Sequence, residues 1–332
     1  MIVIVFTGGT IAMQVDPATG AAVPALSGHE VLARVPGVDR LADVEVDDFG
    51  RLPGPHMTPE QMWRLARRVG AWLERPDVDG VVITHGTDTI EETAALLDLA
   101  LVTDKPVAIV GAIRTSSEPS WDGAGHLLDA LRVVSTASAR GRGVLVVMHE
   151  RIYAAADVRK VHSESTRSFD APEFGPLGVV DAGQVLFRRD LRRPGAWRAP
   201  DADGLLRVRR LETRVDLVKV VAGTDDRWLR WIAASGARGL VLEGLGRGNV
   251  PAAAVPGVRA ALDAGLVVAM TTRCGEGSVS PRYAYEGALH GLLPLGVVPA
   301  GRRSGPAARM ALMVMLGYTD DRAEIARLFA DE

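Results

Sequence analysis

Short apolar runs, each followed by a longer stretch of helical spacing, constrain this chain more than any other feature. Residues 2–6, 80–83, 107–110 and 144–148 are rich in Val and Ile and are bounded by Gly, Pro or Asp. Runs of that length with no polar alternation match strands buried on both faces of a parallel sheet. Between them, residues 59–73, 89–101 and 122–135 carry apolar side chains at helical spacing; Leu65, Val69 and Leu73, for instance, fall four apart. Strand–helix alternation predicts an α/β fold with an open, doubly wound, mostly parallel sheet.

The alternation breaks after Met148. Residues 152–161 and 178–187 read as shorter strands or hairpins, and 188–210 are rich in Arg, Pro, Asp and Gly without an apolar period. A second α/β pattern follows, with strands over 217–221, 239–242 and 267–270 and helices over 228–234, 252–264 and 306–316. A closing helix over 322–329 has Asp320 and Asp321 as caps. Trp228 and Trp231, three apart, are expected to be packing residues. The predicted organisation is two α/β domains: a larger N-terminal one over 1–187, a linker over 188–213 and a smaller C-terminal one over 214–332. At 332 residues the chain is long for one hydrophobic core.

Composition removes several classes of function. With 38 Lys+Arg against 41 Asp+Glu, a net charge of -3 offers no footprint for nucleic acid or an anionic membrane. The single cysteine, Cys274, excludes an intrachain disulfide and a Cys-based zinc site. The opening apolar run has no basic leader and is too short for a signal segment, so a cytoplasmic protein is expected. There is no G-x-S-x-G elbow, Walker loop or H-E-x-x-H motif. His149 and His162 stand alone and read as surface or supporting groups. No metal and no organic cofactor is expected; a small neutral or zwitterionic molecule suits the charge.

Two Thr/Gly segments carry the chemistry, and both follow a predicted strand. They are Thr7-Gly-Gly-Thr-Ile-Ala12 and Thr84-His-Gly-Thr-Asp-Thr-Ile-Glu-Glu-Thr-Ala94. Ligands of open α/β sheets bind at the carboxyl ends of strands, where both segments would lie. Paired glycines allow a sharp turn and close backbone approach. Thr89 with Glu92 reads as a capping box, which sets Thr87 and Asp88 just ahead of a helix N-terminus where free N–H groups stabilise an anion.

Together the two segments resemble the signatures of bacterial-type asparaginases, a family that includes glutaminase-asparaginases and an archaeal tRNA amidotransferase subunit. The similarity continues through Val110-Gly-Ala-Ile-Arg114, Asp122-Gly, Gly141–Met148 with Asp157-Val-Arg-Lys160, Phe174-Gly-Pro-Leu-Gly178 and Gly244-Leu-Gly246. The resemblance implies a hydrolase acting on the side-chain amide of L-asparagine, with Thr10 as nucleophile and Thr87, Asp88 and Lys160 as its catalytic partners. It also implies a substrate-binding set of Gly54, Pro55, Gly86, Thr87, Asp88, Ala112 and Arg247, with Asp88 on the substrate's α-ammonium. N–H groups near Thr87 and Ala112 are candidates for an oxyanion site. A homodimer or homotetramer is implied as well.

Three departures from the family pattern concern activation and recognition. The tyrosine usual in the loop after the first signature falls at Ala21 or Ala22, which leaves Tyr153, Tyr283, Tyr285, Tyr318 or the Lys160 group to take its part. The serine that binds the α-carboxylate becomes Gly54, whose backbone N–H remains. The asparagine of a Gly-Asn-Gly triplet becomes Arg247, either a partner for a carboxylate or a solvated charge. Three readings therefore stand: an asparaginase; an amidase of the same mechanism on D-asparagine, glutamine or a modified asparagine; and a non-catalytic amino-acid-binding homologue. The amidotransferase reading is disfavoured because no extra domain precedes the first strand.

Overall fold

The Val- and Ile-rich runs become strands because their side chains have no polar face to offer to water. The computed structural model describes residues 1–191 and 204–330. These divide into two units, one of residues 1–191 with 204–207 and one of residues 208–330.

In the first unit an eight-stranded sheet is built from β1 (Ile2–Gly8), β2 (Val44–Leu52), β3 (Gly80–Thr84), β4 (Val107–Val110), β5 (Val144–Met148), β6 (Arg151–Ala154), β7 (Gly178–Asp181) and β8 (Gln184–Phe187). Its order is β8-β7-β6-β5-β4-β3-β1-β2. Neighbours from β2 to β5 are parallel and those from β5 to β8 antiparallel. Every residue of β1, β3, β4 and β5 is buried, as a covered parallel sheet requires. Helices α1 (Pro59–Glu74), α2 (Ile90–Ala100) and α3 (Gly123–Val134) start and stop within two residues of the expected positions.

Strand β2 has no counterpart in the sequence expectation. It lies at the sheet edge and reads VEVDDFGRL, so its polar content masks the strand signal. Its buried Asp47 is satisfied by a bidentate Arg68 at 2.7 and 2.9 Å and by Trp72 Nε1 at 2.5 Å. Of the expected linker 188–213, residues 192–203 lie outside the described residues. Residues 204–207 run along the end of α2, where Val102 N donates to Leu205 O and Arg207 N to Ala100 O.

In the second unit β9 (Val215–Lys219), β10 (Gly239–Gly244), β11 (Val267–Thr272) and β12 (Val298–Pro299) form a parallel sheet in chain order. Its longer helices are α4 (Arg227–Ala234), α5 (Val255–Asp263), α6 (Gly305–Tyr318) and α7 (Arg322–Ala330), with Asp321 accepting from Ala323 N in front of the last. The expectation for Trp228 and Trp231 is corrected: they are 66% and 63% exposed. Helix α4 carries two i, i+3 pairs one residue apart, and the core takes the aliphatic pair Leu229 and Ile232. No described helix is long and apolar enough to cross a membrane.

Candidate active site

At the carboxyl end of β1 the chain turns through two left-handed glycines, Gly8 at φ +109° and Gly9 at φ +80°, into a single 3-10 turn over Thr10–Ala12. Thr7 Oγ1 ties this strand end to β3 by donating to Thr84 O at 2.8 Å. Glycine is required here for contact as much as for conformation. A Cβ on Gly9 would lie 2.5 Å from Gly86 N, and one on Gly86 would strike the Gly54 backbone. Three loops thus meet backbone to backbone at Gly9, Gly86 and Gly54. Thr10 is half-buried, and among the described residues its hydroxyl has no hydrogen-bond partner.

The second segment leaves β3 through His85 and Gly86 and enters a 3-10 turn over Thr87–Thr89 that runs into α2. His85 is fully buried, with Nδ1 2.8 Å from Gly86 O and Nε2 2.9 Å from Thr93 Oγ1. A carbonyl only accepts, so Nδ1 carries the proton and Nε2 accepts from the threonine. Burial lowers the His85 pKa to about 4 against the opposing bond to Gly86, so the ring is neutral near pH 7. The predicted capping box is corrected: Thr89 makes no cap bond and instead donates to Gly54 O at 2.9 Å. That bond fastens the short turn over Gly54–His56, which includes Pro55, to the start of α2.

Lys160 arrives on a two-residue strand, Arg159–Lys160, paired with Phe169–Asp170. Its ammonium donates to Thr87 Oγ1 at 2.9 Å and to Asp88 Oδ1 at 2.5 Å. Its own N–H donates to Glu91 on α2 at 3.2 Å. Lys160 and Thr87 are largely enclosed, whereas Asp88 is 57% exposed and can meet a ligand. From β4 comes Gly111-Ala112, and a Cβ on Gly111 would lie 2.9 Å from Thr87 Cγ2. His126 Nδ1 lies 3.0 Å from Gly111 O, and the Asp122 carboxylate accepts from Ile113 N and Arg114 N at 3.0 Å each. The N–H groups of Thr87, Asp88 and Ala112 donate to no described residue.

Thr10, Gly54, Pro55, Gly86, Thr87, Asp88, Ala112 and Lys160 therefore belong to one cluster of loops at the carboxyl edge of the sheet. Arg247 lies in the second unit, where its guanidinium donates to Ser280 Oγ at 2.8 Å. The loop expected to carry a tyrosine folds into an exposed hairpin in which Val15 pairs with Ala22. Tyr153 cannot substitute, because it is buried in β6 with its hydroxyl donating to Phe169 O at 2.9 Å. Sequence reasoning missed His85, His126 and the Thr89–Gly54 bond. Only the first had a visible signal, a histidine enclosed by the second Thr/Gly segment.

Comparison with known proteins gives the family. Residues 1–193 match the family model "Asparaginase, N-terminal" and residues 214–329 match "Glutaminase/Asparaginase C-terminal domain". The chain is 36% identical over 331 residues to a probable L-asparaginase of Deinococcus radiodurans, covering 98% of this chain and 96% of that one. It is 33% identical to a glutamyl-tRNA(Gln) amidotransferase component of Pyrococcus horikoshii, covering 98% of this chain and 74% of that protein. The crystal structure of a probable cytoplasmic L-asparaginase from Campylobacter jejuni superposes with a TM-score of 0.87 at 30% identity, over 99% of this chain and 98% of that one. Both halves of the sequence and the whole fold lead to one assignment: the chain belongs to the asparaginase family, hydrolases that act on linear amides.

Proposed function

We propose that the protein hydrolyses the side-chain amide of L-asparagine to aspartate and ammonia through a threonine acyl-enzyme. Thr10 Oγ attacks the amide carbon, ammonia leaves with the hydroxyl proton, and water then cleaves the ester to restore Thr10. The observation that carries this reading is the Lys160 ammonium held between Thr87 Oγ1 and Asp88 Oδ1, on a turn whose Gly86 abuts Gly9. Because Nζ donates to Thr87, the threonine keeps its own O–H free to exchange a proton with water or the departing amine. Asp88, exposed on one side, receives the substrate's α-ammonium. The free N–H groups of Thr87, Asp88 and Ala112 offer partners for the oxyanion and the α-carboxylate.

A second reading, the same mechanism on D-asparagine or a modified asparagine, is favoured by Gly54. A Cβ there would sit 3.4 Å from Asp88 Cβ, so the position borders the Asp88 side chain yet offers no hydroxyl. One lost hydrogen bond to a charged group costs about 1.5–3 kcal/mol. Ammonia release from L-asparagine, D-asparagine, L-glutamine and asparagine amide, each with wild type and Thr10→Ala, decides between the readings. Turnover of L-asparagine abolished by Thr10→Ala is the expected result. Turnover of only the other amides selects the second reading, and binding without ammonia release would make the chain a non-catalytic homologue. The same reading carries the expectation of a homodimer or homotetramer, to be measured by sedimentation.

A further inference from the structure

Beside the strand that carries Lys160 lies a cavity of about 230 Å³ that the reaction above does not use. It is lined by His149, Arg151, Tyr153, Arg167, Phe169 and Asp170, with Val161 at its side. We propose that it is a binding site for a small oxyanion, gripped between the guanidinium groups of Arg151 and Arg167.

Charge is the first argument. Two arginines and one carboxylate residue, Asp170, line the cavity, and among the described residues neither arginine takes part in an ion pair. Arg151 lies against the Tyr153 hydroxyl, a neutral group. A planar guanidinium matches the paired oxygens of a carboxylate or phosphate, and two arginines lining one cavity favour an oxyanion over a cation or an apolar ligand. Water takes about 30 Å³ in the liquid, so the cavity admits a small oxyanion with several waters around it.

Position is the second. His149 and Glu150 form the two-residue turn between β5 and β6 at φ +52° and +60°, left-handed values that glycine or asparagine adopts without strain. That turn holds the His149 ring at the cavity, at the carboxyl end of the last parallel strand, where open α/β sheets bind ligands. Burial first, and then neighbouring His126 and Arg167, lower the His149 pKa, so the ring adds a neutral donor.

The third argument is connection. Arg151 belongs to β6, whereas Arg167 precedes the strand Phe169–Asp170, which pairs with Arg159–Lys160. An oxyanion bridging the two arginines pins that hairpin to the main sheet and so steadies Lys160. Binding itself needs no assumption about the reaction; only its effect on turnover rests on the proposed function.

The test is calorimetric titration of inorganic phosphate into the full chain at constant ionic strength, with wild type, Arg151→Gln, Arg167→Gln and the exposed control Arg34→Gln. One saturable site is expected in wild type and in the control, weakened at least tenfold in each of the other two. Phosphate is also expected to slow hydrogen exchange of Val161 N–H, which donates to Ser168 O at 2.7 Å across the hairpin. Succinate distinguishes the source of the oxyanion: if it displaces phosphate and binds more tightly, the natural ligand is a carboxylate. No saturable binding, or binding that both substitutions leave intact, overturns the proposal. Arg167 is exposed, so its variant carries the test even where Arg151→Gln does not fold. A protein that binds phosphate in this way but releases no ammonia would refute the catalytic reading and leave the anion site standing.

Discussion

The two threonine-bearing loops of the site are held in opposite ways. Thr87 and its neighbours sit in a mesh of side-chain bonds: Lys160 to Thr87 and Asp88, Glu91 to the Lys160 backbone, His85 to Gly86 O and Thr93, and Thr89 to Gly54 O. Thr10 has none of this. Its turn is set by backbone, through left-handed Gly8 and Gly9, the bond from Gly9 N to Leu52 O and the packing of Gly9 on Gly86. On the proposed mechanism, a hydroxyl without a ground-state partner is free to meet a substrate carbonyl. A bonded group of lysine, aspartate and threonine is already organised for charge that develops later. On that mechanism the difference separates what moves into the reaction from what is fixed before it.

Five substitutions test that contrast, the nucleophile candidate first. Thr10→Ala is expected to lower ammonia release on the order of 10⁴-fold or more while leaving the melting temperature unchanged, because the hydroxyl bonds to nothing described. A clear loss of stability would show that the loop is not held by backbone alone. Lys160→Met is expected to lower kcat roughly 10²–10⁴-fold, measured at saturating substrate. Its stability cost should stay below about 1 kcal/mol, since the exposed Asp88 carboxylate is left in contact with water.

Gly86→Ala tests the shared backbone contact and should cost about 3 kcal/mol in denaturant unfolding, because the new Cβ meets the main chain of Gly54 rather than a yielding side chain. Wild-type stability would rule out the three-glycine contact. The buried His85 titrates at about 4, against about 6.5 in the unfolded chain. Between those values the unfolded chain binds a proton that the folded ring refuses, so stability falls as pH drops through that window, by about 3 kcal/mol in all. His85→Gln should remove that part of the acid slope in urea titrations. The smallest effect is expected of Thr89→Val, which loses one bond to Gly54 O, about 1 kcal/mol. If Gly54 serves the substrate, KM should rise there more than kcat falls.

Legibility in the sequence followed burial. Strands β1, β3, β4 and β5 and helices α1 to α3 were readable because their side chains enter one core and their apolar spacing follows directly. Strand β2 escaped because an edge strand keeps polar residues, and its buried Asp47 depends on Arg68 and Trp72 from a separate helix. Trp228 and Trp231 misled for the related reason that helical spacing identifies a face without saying which face the core takes. Thr89 did so because a capping box and a bond to a distant carbonyl draw on the same residue types.

The sequence alone carried the fold class, the two-part organisation and, through its Thr/Gly segments, the family, and it nominated the reactive groups proposed above. Those properties are local: periodicity, glycine at turns and hydroxyls beside them are written within a few residues of each other. Only the tertiary structure decided that Lys160 meets Thr87 across 73 residues of chain, that Tyr153 is spent on Phe169 O, and that a neutral His85 props the turn. It also brought Arg151 and Arg167 to one cavity. The physical reason is that a side chain's partner is fixed by which strands become neighbours in the sheet. That adjacency comes from burying many apolar residues at once, and no short stretch of sequence contains it.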